Sequence, residues 1–138
     1  MPEVLANSFA YRIRHLALEV RDLERAVLFY QSIFGMQVIR RRSNPFRNDI
    51  AAYVGYGDEA EQPSIELYQF LHAVPDSEIE RRSHIAIAVR GIEEIFDRAI
   101  NSGAKSKVPP QNNRPNSLNK FAFILDPDGH EIELTENS

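Results

Sequence analysis

The chain repeats one pattern of strand and helix in its two halves. Residues Arg12 to Val20 alternate in character with the two-residue period of a β-strand. A helical pattern follows, starting at a capping residue, Asp22, and stopping at Gly35. The same order returns at His84 to Val89 and continues with apolar residues at helical spacing as far as Gly103. This duplication predicts a domain built from two copies of one unit.

Further strands follow each helix, and both halves end on the same tripeptide. The halves span about residues 12–70 and 84–136, and they close on Ile65-Glu66-Leu67 and Ile132-Glu133-Leu134. Two such units bury a sheet face only when they pack together, so the 138 residues predict a single α+β domain with helices outside a sheet system. The predicted strands are Met36 to Arg41, Ile50 to Gly55, Ser64 to Phe70, Phe121 to Leu125 and Glu131 to Thr135.

Three connections complete the prediction. Leu71 to Ser83 contains a proline and mixed charges, and joins the halves. Lys105 to Lys120 is nearly devoid of large apolar side chains and predicts a mobile flap. Asp126-Pro127-Asp128-Gly129 predicts a tight turn into the last strand.

Two histidines and two glutamates occupy equivalent places in the repeats. Glu66 follows His15 by 51 residues and Glu133 follows His84 by 49, whereas the other two histidines have no such counterpart. Four ionisable side chains on the polar face of a sheet are costly unless something compensates them. A divalent cation would do so, and nitrogen and oxygen donors suit Ni, Co, Fe, Mn or Zn. The alternative is a degenerate repeat in which each histidine simply pairs with its glutamate.

Composition narrows the classes of function. Sixteen Lys and Arg against twenty Asp and Glu give a net charge of −4, which disfavours nucleic acid as a partner. The absence of cysteine excludes disulfides, thiolate nucleophiles and thiolate metal sites. No stretch approaches the roughly 20 apolar residues of a membrane span, and the first residues lack the features of a secretory signal. We therefore expect no nucleic-acid partner, no membrane partner and a cytoplasmic location.

Four passages resemble the vicinal oxygen chelate superfamily, which includes glyoxalases, bleomycin resistance proteins and dioxygenases. They are HLALEVRDLERAVLFYQSIFGM from His15, YVGYG from Tyr53 leading to Ile65-Glu66-Leu67, HIAIAV from His84, and FAFILDPDGHEIEL from Phe121. The likeness covers almost the whole chain and is greatest to the short bacterial glyoxalases I. It implies a fold of two βαβββ repeats that form a cupped mixed sheet with helices outside.

The resemblance also implies a mechanism. His15, Glu66, His84 and Glu133 stand where glyoxalases I place the ligands of one divalent metal, with Ni or Co favoured over Zn, Fe or Mn. The implied reaction is proton transfer through a metal-bound enediolate on a small carbonyl or hydroxy substrate, such as a thiol adduct of methylglyoxal. Glu133 is the first choice of catalytic base and Glu66 its symmetric partner. Members of the family usually form homodimers with the active site at the subunit interface.

Two residues depart from the glyoxalase I pattern. Glutathione is commonly held in this family by an arginine and an asparagine, and this chain has Glu19 and Phe70 at those two positions. The sequence therefore does not determine which thiol forms part of the substrate. Glu19, Phe70, Phe123 and Arg41 are the candidate substrate contacts. A ring-cleaving dioxygenase or an epimerase of the same superfamily is the alternative activity, and a non-catalytic protein that binds a drug or aromatic molecule is the alternative from another class.

Overall fold

The protein is described by a computed structural model that covers residues 13–79 and 84–137. Its elements, in chain order, are β1 (His15–Glu19), α1 (Leu23–Phe34), β2 (Gln37–Asn44), β3 (Asp49–Gly55), β4 (Ser64–Phe70), a 3₁₀ turn (Asp76–Glu78), β5 (His84–Ala88), α2 (Ile92–Asn101), β6 (Lys105–Asn112), β7 (Lys120–Leu125) and β8 (Glu131–Glu136).

The strands form two four-stranded mixed sheets with the same topology. Their orders are β1-β4-β3-β2 and β5-β8-β7-β6, and in each sheet the first two strands are parallel while the other neighbours are antiparallel. Each sheet with its helix is therefore one βαβββ module, and the predicted α+β fold of two repeats is confirmed. Within the described ranges, no strand of one sheet is hydrogen-bonded to a strand of the other.

Helix α1 begins and ends where its capping residues predict. The Asp22 side chain accepts a hydrogen bond from Arg25 N, and Gly35 ends the helix in the left-handed region at φ 67°, where a Cβ would be strained. Neither helix in the described ranges is long and apolar enough to cross a membrane.

The last strand of each module supplies a side chain that completes the start of its helix. Gln69 accepts a hydrogen bond from the first amide of α1, Leu23 N. Glu136 accepts from Gly91 N and Ile92 N at the start of α2, which has no capping side chain of its own. Gln69 and Glu136 each follow a candidate ligand by three residues, so the duplication extends to these contacts.

One apolar core runs through both modules. It unites the inner faces of α1 and α2 with alternate residues of the strands, such as Leu67 in β4 and Leu134 in β8, both fully buried. The helices cover one face of each sheet and touch each other. The opposite faces carry the polar candidates, because successive side chains of a strand point to opposite sides.

Buried polar contacts fix one module against the other. Tyr30 of α1 donates to Asp126 Oδ2 at 2.8 Å, and Arg25 donates to Asp128 Oδ1 at 2.9 Å. His130, which is 2% exposed, donates from Nε2 to the Glu19 carbonyl oxygen at 2.5 Å, since that oxygen can only accept. We call these three contacts between the modules the seam. They hold the predicted turn at Asp126, and Oδ1 of Asp126 also accepts hydrogen bonds from the amides of Asp128 and His130.

The prediction of a flap over Lys105 to Lys120 is wrong. Residues Lys105–Asn112 form the edge strand β6, whose register shifts around Val108 and again before Gln111. An edge strand needs hydrogen bonds on one side only, so it tolerates Pro109 and Pro110. Residues from Asn113 to Asn119 form the short connection to β7.

Candidate metal and active site

The first candidate pair lies on the helix-free face of the first sheet. The Nε2 atom of His15, at the start of β1, is 3.5 Å from Oε1 of Glu66 in the adjacent strand β4. The ring of His15 meets the ring of Tyr53 edge-on, with 5.2 Å between the centroids. The fold therefore brings this histidine and this glutamate together, a contact that both the metal site and the alternative of a simple His–Glu pair predict.

The second oxygen of Glu66 is held by two neighbouring strands. The Tyr53 hydroxyl donates to Oε2 at 2.6 Å, and Arg42 donates to the same atom from Nε at 2.9 Å and NH2 at 2.7 Å. Arg42 also donates from NH1 to Asp49 Oδ1 at 2.7 Å. Burial opposes the charge of Glu66, but the hydrogen bonds from Tyr53 and Arg42 outweigh it and hold the pKa of Glu66 below its usual value.

The second candidate pair has the same geometry but different surroundings. Nε2 of His84 is 3.4 Å from Oε1 of Glu133, and Nδ1 of His84 is 3.7 Å from Oε2 of Glu131. Phe123 of β7 lies directly across from Glu133 of β8. Its ring meets the His84 ring edge-on, with 5.5 Å between the centroids. Glu131 forms an ion pair with Lys107 of the edge strand.

Each pair fits half of a metal site. A nitrogen and an oxygen that bind one ion at about 2.0 to 2.2 Å lie roughly 3 to 3.5 Å apart, which matches both His–Glu separations. The two pairs do not meet within one chain: no three His, Asp or Glu side chains of residues 13–79 and 84–137 are grouped to hold a metal ion. The assignment of His15, Glu66, His84 and Glu133 as ligands of one ion thus stays a prediction.

The predicted substrate contacts fall in three places. Glu19 and Phe70, at the ends of β1 and β4, line one open cavity of about 340 Å³. Phe123 lies beside His84 on the other sheet. Arg41 pairs with Ala52 on the helix-bearing face and forms an ion pair with Glu24 of α1, so the structure does not bring it to either His–Glu pair.

The residues around Glu66 that the predicted site does not include are Arg42, Tyr53 and Asp49. Two patterns point to them. Alternation places Arg40 and Arg42 on the face opposite to Arg41, and a hairpin of β3 and β4 places Tyr53 directly across from Glu66. Neither pattern predicts that Arg42 binds the carboxylates of both Glu66 and Asp49.

Comparison with known proteins places the chain in a family. The family model described as Glyoxalase/Bleomycin resistance protein/Dioxygenase superfamily matches residues 12–134. A lactoylglutathione lyase from Salmonella typhimurium is 34% identical over 125 residues, covering 91% of this chain and 92% of that protein. A probable lactoylglutathione lyase from Vibrio cholerae is 31% identical over 129 residues, covering 92% and 91% of the two chains.

Solved structures agree with these relatives. Glyoxalase I from Leishmania major, described as trypanothione-dependent, superposes with a TM-score of 0.75 at 28% identity, covering 91% of this chain and 86% of that one. Glyoxalase I from Zea mays superposes with a TM-score of 0.75 at 26% identity. The match covers 92% of this chain and 45% of the Zea mays chain. The protein therefore belongs to the glyoxalase/bleomycin resistance protein/dioxygenase superfamily. Within that superfamily it is an enzyme of the glyoxalase I type, a lyase.

Proposed function

We propose that the protein is a metal-dependent glyoxalase I-type lyase that moves a proton between adjacent carbons of a small carbonyl substrate. The observation that carries the proposal is the repeated pair of donor atoms, His15 Nε2 with Glu66 Oε1 and His84 Nε2 with Glu133 Oε1. Two imidazoles and two carboxylates balance the charge of a divalent ion, and without thiolates this donor set suits Ni, Co, Zn, Fe or Mn. The choice among these metals and a cytoplasmic location stay predictions.

The proposed site forms between two copies of the chain. Each chain carries one His–Glu pair on each sheet, and the pairs remain apart within the described residues. In a two-fold symmetric dimer, the first pair of one subunit can face the second pair of its partner, so that two complete sites form at once. Such a dimer also covers the polar sheet faces, where His84 is 45% exposed in the single chain.

The chemistry of the proposed site divides between a Lewis acid and a base. When bound, the metal polarises the carbonyl of the substrate and so lowers the cost of removing a proton from the adjacent carbon. Glu133 takes that proton and returns it to the neighbouring carbon, a role that requires a carboxylate free to reach two positions. The rings of Phe121 and Phe123, 6.0 Å apart, place an apolar surface beside His84.

The proposed substrate is a thiol adduct of a small oxoaldehyde. The relatives named lactoylglutathione lyase point to the product of methylglyoxal and glutathione. In this chain, however, a carboxylate and a phenyl ring, from Glu19 and Phe70, line the cavity at the ends of β1 and β4. The arginine and asparagine that the family commonly uses to hold glutathione are both replaced there, so we propose that the preferred thiol either is not glutathione or binds by other contacts.

Complementation between two variants that are inactive at limiting metal, assayed under that condition, tests the proposed site. Glu66→Gln damages the first half-site and Glu133→Gln the second. After equimolar mixing and exchange of subunits, about half of the dimers are mixed, and each mixed dimer has one intact site. The mixture is therefore expected to regain about a quarter of wild-type activity. No recovery, with subunit exchange verified by a mass tag, would place both pairs of a working site in one chain.

Metal analysis accompanies this experiment. About one divalent ion per chain, lost on chelation together with activity, is the result expected of two sites per dimer. A wild-type protein that takes up no ion under any loading condition would contradict the metal-dependent function and favour the binding-protein alternative.

A further inference from the structure

The two carboxylates of the repeats differ in how firmly they are held. Glu66 has a 9% exposed side chain whose Oε2 accepts from Tyr53 and twice from Arg42. The side chain of Glu133 is 26% exposed, and among the residues that the structure describes its polar partner is His84 alone. The duplication has therefore placed, at equivalent positions, one carboxylate held by three hydrogen bonds and one without them.

The groups that hold Glu66 are themselves fixed. Asp49 is 1% exposed and binds the second arm of the Arg42 guanidinium, so that Arg42 forks between two carboxylates. The ring of Tyr53 lies under the guanidinium of Arg40, 3.5 Å from its centroid, and against the edge of His15. We call Asp49, Arg42 and Tyr53 the clamp.

The clamp determines which oxygen of Glu66 is available. Both of its donors bind Oε2, which leaves Oε1 directed toward Nε2 of His15 at 3.5 Å. A carboxylate held in this way can bind an ion through one oxygen, but it cannot swing away to collect a proton without breaking three hydrogen bonds. The second module has no such arrangement, because Phe123 stands where Tyr53 stands in the first.

We propose that Arg42 and Tyr53 are positioning residues that confine Glu66 to the role of a metal ligand through Oε1 and leave proton transfer to Glu133. This inference rests on the proposed function. It assigns different tasks to two glutamates that the repeat makes formally equivalent, and it takes Glu66 out of the set of catalytic bases.

Titration of the purified apoprotein with Co²⁺ tests the clamp without any assay of turnover. Tyr53→Phe removes one donor to Glu66, and Arg42→Lys keeps the charge but loses the fork. Removal of a hydrogen-bond partner of a metal ligand typically weakens metal binding about 10- to 100-fold, and we expect a loss of Co²⁺ affinity in this range for each variant. The matched controls are Tyr56→Phe, whose hydroxyl donates to the Phe34 carbonyl oxygen, and Arg98→Lys on the outside of α2. They are expected to bind Co²⁺ as the wild type does.

A double-mutant cycle separates positioning from general damage to the fold. If Tyr53 acts through the carboxylate, Tyr53→Phe has no further effect on Co²⁺ affinity in a Glu66→Gln background. The melting temperature of each variant shows whether it is folded, and the conservative Tyr53→Phe carries the test if Arg42→Lys does not fold. Wild-type affinity in a folded Tyr53→Phe, or an equal loss in both backgrounds, would overturn the clamp. No binding of Co²⁺ to the wild type would instead refute the proposed metal site.

Turnover supplies the second readout, on the division of tasks. Glu133→Gln is expected to stay inactive even when Co²⁺ is raised to saturation, whereas Glu66→Gln is expected to lose Co²⁺ affinity and to regain turnover at saturating Co²⁺. A Glu66→Gln variant that is saturated with Co²⁺ and still inactive would show that Glu66 also carries protons, and would overturn the assignment.

Discussion

Replacing Tyr30 by phenylalanine removes one hydrogen bond from the seam between the modules. The Tyr30 side chain is fully buried, and its hydroxyl donates to Oδ2 of Asp126, a residue that is 3% exposed. The variant keeps the ring and the packing but leaves a buried carboxylate oxygen without this donor. Hydrogen bonds to charged groups contribute about 1.5 to 3 kcal/mol, so we expect a loss of that size in the free energy of unfolding. For a domain of this length, it corresponds to a fall of roughly 5 to 12 °C in the melting temperature.

The pH dependence of this loss follows from the titration of Asp126. Burial raises the pKa of Asp126 above its usual value, so the ionised form destabilises the fold and stability is recovered as the pH falls through the raised pKa. The Tyr30 hydroxyl favours the ionised form, and its removal raises the pKa of Asp126 further. The difference between Tyr30→Phe and the wild type is therefore expected to be largest at neutral pH and to shrink toward acid pH.

Thermal and urea unfolding of both proteins, at one protein concentration and at several pH values, measures this difference. Tyr56→Phe is the matched control, because Tyr56 is half-exposed and its hydroxyl donates to a neutral carbonyl oxygen, that of Phe34. The loss of this hydrogen bond is expected to cost less than about 1 kcal/mol. Equal stability of Tyr30→Phe and the wild type, or a difference that grows as the pH falls, would refute the reasoning.

Four further predictions concern the site and the fold. Glu133→Gln is expected to keep the fold and to lose about 10²- to 10⁴-fold in turnover, measured against the wild type at saturating metal. Turnover of the methylglyoxal–glutathione adduct by the wild type is expected to be low. The double variant Glu19→Arg, Phe70→Asn is expected to have a KM for this adduct that is lower by about tenfold or more. Efficient turnover of the adduct by the wild type would contradict this. Removal of the metal by a chelator is expected to abolish activity while the circular dichroism spectrum remains that of the folded protein. Addition of Ni²⁺ or Co²⁺ is expected to restore turnover. Asp22→Ala is expected to cost about 1 kcal/mol in urea unfolding through the loss of the α1 cap.

The sequence predicted those parts of the fold that local chemistry determines. Asp22 and Gly35 mark the ends of α1 because capping depends on side chains within one turn of the helix. The duplicated spacing predicted the two His–Glu pairs because equivalent strands of a repeat occupy equivalent places. The strand β4 was predicted with its observed bounds, Ser64–Phe70.

The sequence did not predict what depends on distant pairing. The polar, proline-rich segment that forms β6 has the composition of a loop, and only its partner β7 makes it a strand. The clamp requires the register shift between Val38 and Arg40, which determines which arginines of β2 face Glu66. The prediction of Arg41 as a substrate contact is wrong because alternation separates Arg41 from Arg40 and Arg42 without showing which set faces Glu66, and the register shift decides this.

The exchange of Tyr53 for Phe123 at equivalent positions of the two modules has a stereochemical consequence. Two carboxylates related by an approximate two-fold axis and equally able to carry a proton would approach a planar carbon between them from opposite faces, so equivalent carboxylates by themselves would deliver the proton to either face. In the proposed site, a hydroxyl and a guanidinium stand on one side and a phenyl ring on the other. This difference holds one carboxylate in place and leaves the other to carry the proton, which would restrict proton delivery to one face and give the product a single handedness.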